Sequence, residues 1–472
     1  MLRKILIANR GEIAVRIVRA CAEMGIRSVA IYADADRHAL HVKKADEAHS
    51  IGADPVGGYL NIHRIVNLAA ETGCDAIHPG YGFLSENGDF AAACVARGLS
   101  FIGPGADVIR RMGDKTEARL AMQQAGIPVT PGSAGNLENL DHALSVAASL
   151  GYPVMLKATS GGGGRGIRRC DNPEDLGRSY DRVISEATKA FGSAEVFLEK
   201  CIIDPRHIEV QILADRHGNV VHLFERDCSI QRRNQKLIEI APSPQLDATQ
   251  RAYVVDLAVR AARAVNYENA GTVEFLFDAA GEFYFMEMNT RIQVEHTITE
   301  SITGVDIVEE QIRIAAGLPL RYAQDQITMR GFALQFRINA EDPKNGFLPS
   351  FGRITRYYAP GGPGVRTDSA IYTGYTVPPY YDSMLAKVIV WALTWEDAIA
   401  RSRRALNDMA VFGIRTTIPY YQEILGAPAF RSGVFNTGFV DANPQLVNYS
   451  NKRRPEDIAT VLAVAIAAHT GN

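Results

Sequence analysis

The stretch GTVEFLFDAAGEFYFMEMNTRIQVEH, residues 271–296, carries the strongest indication of fold and function in this sequence. Two runs rich in β-branched and aromatic residues flank DAAG, a pattern that predicts a hairpin. In an extended strand, side chains alternate between the two faces. The second run therefore predicts an apolar face, from Met288 to Val294. Its opposite face would carry five consecutive polar groups: Glu287, Asn289, Arg291, Gln293 and Glu295.

Such a polar face suits a metal site next to an anion site. Two glutamates and an asparagine supply hard oxygen ligands, which suit Mg²⁺ (or Mn²⁺) bridging nucleotide phosphates. The predicted metal ligands are Glu274, Glu287 and Asn289. Glu274 joins this face if the hairpin loop has an even number of residues, whereas an odd loop turns it away. Arg291 and Gln293 offer donors to an anion, and Glu295 offers a base. The alternative is a solvated strand face with alternating charges.

The glycine-rich stretch KATSGGGGRGIRR, residues 157–169, has several interpretations. A Walker loop carries its lysine after the glycines, whereas Lys157 comes before them, so the Walker interpretation fails. Glycine-rich runs are often flexible connections. Next to a metal site, the run instead favours a lid whose backbone N–H groups approach phosphates at Gly163 and Gly164. Lys115 and Lys157 would then add positive charge.

The composition limits the classes of protein to which this chain can belong. A chain of 472 residues predicts about three domains at ~150 residues each. The net charge of −3 predicts no general attraction to nucleic acid or to an anionic membrane. The 6 cysteines show no CxxC spacing, which argues against a disulfide framework and suits a reducing compartment. Neither a signal peptide nor an apolar run of about 18 residues is visible, so we expect a cytoplasmic protein without a membrane span.

The pattern of elements changes along the chain. Strands alternate with helices over the first ~110 residues, which predicts an open parallel α/β sheet. A small α+β unit with a mobile loop follows, and then β-rich segments mixed with helices. In the C-terminal NKRRPEDIATVLAVAIAAHTGN, Pro455 stands where a helix begins, and the helix is almost wholly apolar. Such a helix packs on its own domain or docks onto a partner subunit, and both interpretations stay open.

Six motifs occur along the chain: GDK, GYPVMLKATSGGGGRG, ERDCSIQRRNQK, EMNTRIQVEH, RINAEDP and YYDSM. As a set they resemble the biotin carboxylase component of biotin-dependent carboxylases, over residues 1–445. The resemblance implies an α/β protein with the ATP-grasp fold. Its parts would be an N-terminal open parallel α/β domain (1–114), an ATP-grasp region (115–328) with a small mobile lid (about 130–202), and a C-terminal α+β domain (329–445). The tail, 446–472, is the candidate partner-docking helix.

The resemblance also implies roles for individual residues. ATP would bind to Lys115, Lys157, Gly163, Gly164, Glu199, Lys200, Ile202, His207, Gln231, Asn234, Glu274, Leu276 and Glu287. Bicarbonate would bind to Lys236, Arg291, Gln293, the backbone of Val294, and Glu295 as its base. Biotin would lie beside Tyr81, and Arg337 would stabilise its enolate. The catalytic set is then Lys236, Arg291, Glu295 and Arg337.

The family reaction couples ATP cleavage, through carboxyphosphate, to carboxylation of biotin on a carrier. No lysine stands between methionines, as in the attachment motif AMKM, so a biotin carboxyl carrier protein and a carboxyltransferase are expected on separate chains. YYDSMLAKVIVWALTW and GIRTTIPYY are most similar to the biotin carboxylase subunit of two-subunit pyruvate carboxylases. Acetyl-CoA carboxylase subunits share most of the motifs, and the final acceptor is chosen by another chain.

A few positions depart from the family pattern. Asn234 stands where many members have histidine, which bears on a nucleotide contact, and the glycine run is one residue shorter. Pro363 replaces a phenylalanine of the family's dimer contact. Arg19, Glu23 and Arg366 match that contact, so a homodimer is expected.

Competing interpretations concern the substrate and the presence of catalysis. One is another ATP-grasp ligase, such as a carbamoyl-phosphate or purine-pathway carboxylating enzyme. Another is a non-catalytic nucleotide-binding module that regulates a partner. A nicotinamide oxidoreductase is disfavoured because the first strand is followed by NRGE rather than GxGxxG.

Overall fold

The computed structural model describes residues 2–159, 166–192, 194–449 and 455–470. The N-terminal part comprises β1 (Lys4–Ile7), α1 (Gly11–Glu23), β2 (Arg27–Ala33), α2 (Leu40–Lys44), β3 (Glu47–Gly52), α3 (Ile62–Glu71), β4 (Ala76–His78), α4 (Gly88–Ala96), β5 (Ser100–Phe101) and α5 (Ala106–Gly113). Its sheet has the order β3-β2-β1-β4-β5, and every pair is parallel, as expected. Ile5, Leu6 and Ile7 of the central strand are fully buried, because helices cover both faces of the sheet.

A second, smaller sheet follows. This part comprises α6 (Lys115–Gln124), α7 (Leu140–Leu150), β6 (Val154–Ala158), β7 (Ile167–Cys170), α8 (Pro173–Phe191) and β8 (Val196–Lys200). The strands form an antiparallel sheet in the order β7-β6-β8. Leu156, Val183 and Leu198 belong to a separate hydrophobic core under the two helices. Gly163 and Gly164 lie outside the described residues, in the connection between β6 and β7.

An eight-stranded antiparallel sheet carries the centre of the molecule. Its first elements are β9 (Arg206–Ala214), β10 (Val220–Arg232), β11 (Gln235–Ala241), α9 (Ala248–Ala264), β12 (Asn269–Phe277), β13 (Phe283–Asn289), α10 (His296–Thr303), α11 (Ile307–Ala315) and β14 (Phe332–Asn339). The C-terminal part adds β15 (Glu341–Asp342), β16 (Leu348–Pro349), β17 (Gly352–Arg353), β18 (Arg356–Tyr358), β19 (Val365–Ser369), β20 (Thr376–Val377), β21 (Met384–Ala392), α12 (Trp395–Asp408), β22 (Ala410–Phe412), α13 (Ile418–Ile424), α14 (Pro428–Arg431) and α15 (Phe439–Ala442).

The large sheet joins the middle of the chain to its C-terminal part. Its strand order is β13-β12-β9-β10-β11-β14-β21-β19. β21 and β19 therefore continue the sheet that β9 to β13 begin, and the two parts share one hydrogen-bonded surface. Phe336, Trp395 and Tyr421 belong to the core that packs against its C-terminal half.

The C-terminal helix α16 (Pro455–Thr470) begins at the proline that marked it in the sequence. Leu462, Val464 and Ile466 are 56%, 64% and 61% exposed. Positions two residues apart point about 200° apart on a helix, so apolar side chains are exposed on more than one face. No helix among the described residues combines the length and the apolarity needed to cross a bilayer.

The hairpin of β12 and β13 reaches the expected arrangement by an unexpected route. Its loop, 278–282, has an odd number of residues, which alone would turn Glu274 away from Glu287. Phe275 lies opposite Phe285, but Glu274 lies opposite Glu287, so Met286 is an extra residue in the second strand. This β-bulge restores the alignment of the two glutamates.

The predicted strand face from Glu287 to Glu295 is wrong beyond Asn289. β13 ends at Asn289, residues 290–295 form a loop, and α10 begins at His296. Arg291, Gln293 and Glu295 therefore do not share a face through strand alternation. The loop brings each of them to the site separately.

Candidate active site

Lys236, at the start of β11, is the centre of the site. Its ammonium group donates to Glu209 (2.5 Å), Glu274 (3.0 Å) and Glu295 (2.7 Å). These carboxylates occupy all three N–H bonds of the ammonium group. Burial alone lowers a lysine pKa, but the carboxylates outweigh it and raise the pKa of Lys236 well above its usual range. The amine is therefore charged.

Glu274, on β12, is a buried carboxylate surrounded by donors. Its Oε1 accepts from Asn289 Nδ2 at 2.8 Å and from Gln293 Nε2 at 2.7 Å, in addition to Lys236. His207 Nε2 lies 2.7 Å from the other oxygen. Burial raises the pKa of a carboxyl group, yet Lys236 and His207 hold the pKa of Glu274 well below its usual range. The group is therefore ionised.

Glu287 and Asn289, on β13, lie next to Glu274. Glu287 is opposite Glu274 in register, and one of its oxygens lies 3.5 Å from Lys115 Nζ. The Asn289 side-chain oxygen accepts from Arg291 Nη2 at 2.8 Å. Two carboxylates and an amide oxygen at neighbouring positions fit Mg²⁺ or Mn²⁺, which prefer oxygen ligands. The Glu287 side chain is 36% exposed, so it is the most accessible of the three candidate ligands.

Arg291 and Gln293 are both oriented by neighbours. Arg291 Nε donates to Glu86 of the N-terminal part at 2.8 Å. Gln293 Oε1 accepts from Arg226 at 2.6 Å, so its NH₂ group faces Glu274. Arg226 is fully buried and donates to Glu209, Gln211, Thr272, Thr299 and Gln293. The amide of Gln293 is thereby fixed as a donor toward the site.

Glu295 bridges two cations. Its Oε1 accepts from Lys236, and its Oε2 accepts from Arg337 Nη2 at 3.1 Å. Burial raises the pKa of a carboxyl group, but Lys236 and Arg337 outweigh it and pull the pKa of Glu295 far below its usual range. Glu295 is thus ionised, as a proton acceptor must be. Arg337 is held on its other side by the buried carboxylate of Glu239.

Tyr81 and Val294 are connected through a buried ion pair. The Tyr81 hydroxyl donates to Glu12, whose carboxylate lies 3.0 Å from Lys387 Nζ. Lys387 is fully buried and donates to the carbonyl of Val294 at 2.9 Å. The pair therefore ties the Tyr81 ring to the peptide between Val294 and Glu295.

The predicted phosphate lysine Lys157, on β6, is engaged by a carboxylate. It pairs with Glu199 on β8, which also accepts from Arg119 at 2.9 Å. Burial raises the pKa of Glu199, and Lys157 and Arg119 together lower it by more. Lys200 donates to two backbone carbonyls before β6, at 2.7 and 3.2 Å, so its side chain fastens that connection.

Three of the remaining predicted nucleotide contacts, His207, Leu276 and Gln231, fall on one face of the large sheet. Leu276 on β12 lies opposite His207 on β9, and Gln231 on β10 lies opposite Lys236. Opposite residues in an antiparallel pair share a face, so these side chains accompany Glu274 and Lys236. Ile202 follows β8 and is half-buried.

Asn234 occupies the turn between β10 and β11. Arg232 pairs with Gln235, which leaves Arg233 and Asn234 as a two-residue hairpin loop. Both have positive φ, 49° and 64°, as in a type I′ turn. Asparagine tolerates this left-handed backbone better than other residues that have a Cβ atom, which gives a physical reason for asparagine at this position.

The side chains of the site that were not predicted from the sequence include Glu86, Glu209, Arg226 and Glu239. Arg226 stands between Glu225 and Asp227, whereas Glu209 and Glu239 lie in strand runs that are otherwise largely apolar. Charged residues are rarely buried without a counter-charge, so their position in such runs was a usable signal. Glu86 lies in a loop and carried no comparable signal.

Three family models match the chain. They are "Biotin carboxylase, N-terminal domain" at residues 1–109, "Carbamoyl-phosphate synthase L chain, ATP binding domain" at 114–323, and "Biotin carboxylase C-terminal domain" at 335–442. Together they span the N-terminal part, the site and most of the C-terminal part.

Relatives match over nearly the whole chain. The 2-oxoglutarate carboxylase small subunit of Hydrogenobacter thermophilus is 53% identical over 471 residues, 100% of each chain. Biotin carboxylase 1 of Bacillus subtilis is 54% identical and covers 93% of this chain and 98% of its own. A pyruvate carboxylase subunit from Methanothermobacter thermautotrophicus is 51% identical, with 93% and 90% covered.

Solved structures agree with these matches. The biotin carboxylase domain dimer of the Hydrogenobacter thermophilus 2-oxoglutarate carboxylase, in complex with MgADP, ADP and bicarbonate, superposes with a TM-score of 0.94 at 54% identity, covering 96% of this chain and 100% of that one. A biotin carboxylase complex from Campylobacter jejuni has a TM-score of 0.92 at 46% identity, with 94% and 99% covered.

Fold and site together define an ATP-dependent ligase with the ATP-grasp fold, which confirms the predicted fold class. The chain belongs to the biotin carboxylase family. Its activity is biotin carboxylase activity, which uses ATP, Mg²⁺ and biotin. The oxygen ligands around Glu274 fit that metal.

Proposed function

We propose that this chain is the biotin carboxylase subunit of a 2-oxo acid carboxylase, and that Lys236, Arg291, Glu295 and Arg337 carry its chemistry. One observation supports these roles above the others: Glu295 lies between Lys236 and Arg337, at 2.7 and 3.1 Å. The proposed base therefore contacts both the cation proposed for bicarbonate and the cation proposed for the enolate.

In the first half, bicarbonate replaces Glu295 as a partner of Lys236. It also accepts from Arg291, from Gln293 and from the backbone N–H of Val294. Glu295 takes the bicarbonate proton, and the freed oxygen attacks the γ-phosphorus of ATP. The bond between that phosphorus and ADP breaks, which leaves ADP and carboxyphosphate. Glu274, Glu287 and Asn289 would hold Mg²⁺, which neutralises phosphate charge during this transfer.

In the second half, carboxyphosphate breaks down to CO₂ and phosphate. The phosphate takes the proton from the ureido nitrogen of biotin, and that nitrogen attacks CO₂. Negative charge develops on the ureido oxygen, where Arg337 stabilises it as an always-charged planar donor. Tyr81 lies beside the biotin ring, held in place by Glu12.

The nucleotide would lie between the small sheet and the large sheet. Its adenine would contact the backbone of Glu199 and Lys200 together with Ile202, His207, Leu276 and Gln231. Its phosphates would be bound by Lys115, Lys157 and the N–H groups of Gly163 and Gly164, with Asn234 nearby. Since Glu199 now engages Lys157, phosphate binding exchanges one anionic partner of that lysine for another.

We place the domain boundaries at 114/115 and 328/329, with residues 130–202 as a lid. The separate core of the small sheet supports a lid that moves as a unit. We also propose a homodimer, as in the related biotin carboxylase domain dimer. The expected contact region includes Arg19 and Arg366; Arg366 is already oriented by Glu300 at 2.6 Å and by Asp368.

The final acceptor would be a 2-oxo acid bound by a separate carboxyltransferase chain. Pyruvate is the acceptor suggested by the sequence motifs, and 2-oxoglutarate is supported by the relative that matches the full length. The holoenzyme, purified with its partner chains, should fix labelled bicarbonate into one of these two acids. Label that enters acetyl-CoA instead would contradict this assignment.

The helix α16 is the proposed docking element for the chain that bears the carrier. It begins beyond residue 442, where the last family model ends, and its described side chains are exposed. Deleting residues 451–472 should abolish co-purification with the partner while ATP cleavage with free biotin is kept. Replacing Leu462, Val464 and Ile466 with serine in the full-length chain should have the same effect. Unchanged co-purification would exclude this role.

The biotin carboxylase activity is tested by ATP hydrolysis with bicarbonate and Mg²⁺, with and without free biotin. Biotin should raise the rate, and Glu295→Gln should remove that increase, because the variant has no base. ATP turnover that ignores biotin would show that the acceptor is a different molecule. Turnover unaffected by Glu295→Gln would show that another group takes the proton.

A further inference from the structure

Arg337 is held by two carboxylates from opposite sides. Its Nη2 donates to Glu295, and its Nε donates to Glu239. Glu239 lies on β11, is fully buried, and accepts from Gln335 Nε2 at 2.9 Å with its second oxygen. Gln335 in turn accepts from the hydroxyl of Thr297. Each oxygen of Glu239 therefore has a donor.

The two carboxylates differ in what happens to them during the reaction. Glu295 becomes a neutral acid when it takes the bicarbonate proton, and its attraction for Arg337 then falls. Glu239 is fully buried next to Arg337 and has no role in that proton transfer. Burial raises the pKa of Glu239, and the charge of Arg337 opposes this shift.

We propose that Glu239 is the positioning residue that keeps Arg337 in place while Glu295 is protonated, so that the guanidinium meets the enolate of biotin. The inference rests on the proposed roles of Glu295 and Arg337. Glu239 accepts a hydrogen bond from Arg337 Nε, which leaves the Nη groups of the guanidinium to face the substrate. An arginine anchored in this way needs no rearrangement when charge develops on the ureido oxygen.

Glu239→Gln tests this without disturbing the core. The new amide can accept from Arg337 Nε and donate to Gln335 if the Gln335 amide flips. The Thr297 hydroxyl then becomes an acceptor, so every buried hydrogen bond is kept. The variant loses the negative charge beside Arg337 and little else.

Two reactions distinguish a role of Glu239 in positioning Arg337 from a general loss of active-site structure. Biotin-dependent ATP cleavage should fall about 10- to 100-fold in kcat in Glu239→Gln, with little change in the KM for biotin, because enolate stabilisation acts on the transition state. Bicarbonate-dependent ATP cleavage without biotin should stay within about twofold, because Arg337 has no role in forming carboxyphosphate. Equal loss of both reactions, or loss of neither, would overturn the proposal.

Glu225→Gln is the matched control. Glu225 is also fully buried and pairs with an arginine, Arg251 at 2.8 Å, but not with Arg337. It should leave the ratio of the two reactions unchanged. If Glu239→Gln fails to fold, Gln335→Leu removes the second donor to Glu239 and should lower the same ratio by a smaller factor. A wild-type enzyme that biotin does not stimulate would refute the proposed function rather than this inference.

Discussion

Arg291 and Glu86 join two parts of the chain at the edge of the active site. Arg291 Nε lies 2.8 Å from Glu86 Oε2, and the same carboxylate accepts from the backbone N–H of Thr290 at 3.3 Å. Glu86 comes from the loop after β4, in the N-terminal sheet domain. A residue proposed to bind bicarbonate is therefore oriented by a domain that supplies none of the proposed metal ligands.

Glu86→Gln should raise the KM for bicarbonate about 3- to 10-fold, because Arg291 loses its charged partner in a half-exposed site. The KM for ATP should change little. Steady-state ATP cleavage at varied bicarbonate measures both. Asp89→Asn, which removes the nearby exposed partner of Arg110, serves as the control and should change neither value. A bicarbonate KM that stays at the wild-type value in Glu86→Gln would contradict this orienting role.

Glu287→Gln should raise the Mg²⁺ concentration needed for half-maximal ATP cleavage by about tenfold, because a neutral amide oxygen is a weaker ligand than a carboxylate. EDTA should abolish the activity of both proteins. Glu282→Gln, in the exposed loop of the same hairpin, should keep the wild-type requirement. An unchanged Mg²⁺ requirement in Glu287→Gln would remove this residue from the ligand set.

Acid should destabilise the protein through buried histidines. Burial lowers the pKa of His296 to about 3, whereas in the unfolded chain it is 6.5. Between pH 6.5 and 3 the unfolded state therefore binds a proton that the folded state does not bind. The contribution of this group to the free energy of unfolding is complete above pH 6.5 and is lost as the pH falls toward 3. Each such group contributes up to about 1.4 kcal/mol per pH unit in this window. His41, His78 and His222 have pKa values lowered in the same direction.

Urea unfolding between pH 6.5 and 5 checks this dependence, since carboxyl groups with lowered pKa values titrate below that range. His296→Gln should flatten the pH dependence of the free energy of unfolding. His63→Gln, which replaces an exposed ring, should leave it as in wild type. Parallel curves for wild type and His296→Gln would show that the pKa of His296 is the same in the folded and the unfolded protein.

The turn at Asn234 should depend on backbone conformation. Asn234→Val should destabilise the protein by about 1–2 kcal/mol, because a β-branched residue is strained at φ 64°. Asn234→Gly should match wild type, since glycine adopts this conformation freely. Thermal unfolding of the three proteins measures the difference. Equal stability of the valine and glycine variants would mean that the turn relaxes at no cost.

Local periodicity predicted the parallel N-terminal sheet and the small second unit, and the family motifs predicted that Lys236, Glu274 and Glu295 belong to one site. The sequence did not predict how Arg291, Gln293 and Glu295 reach the site. Strand alternation is a local rule, and it stops applying where β13 ends. Nor did it reveal Arg226 or Glu239 as supports, since their partners lie on other strands and only the folded sheet brings them together.

The extra residue at Met286 has a consequence for the insertions and deletions that this hairpin can accept. The five-residue loop and the bulge each shift the two strands by one position, and the shifts cancel at Glu274 and Glu287. A deletion that moved β13 by one position and kept a five-residue loop would need loss of the bulge to keep the two carboxylates opposed. A change in the register of β13 without a matching change in the bulge would therefore separate the two carboxylates. The position of the two proposed metal ligands thus depends on the number of residues in the second strand as well as on which residues they are.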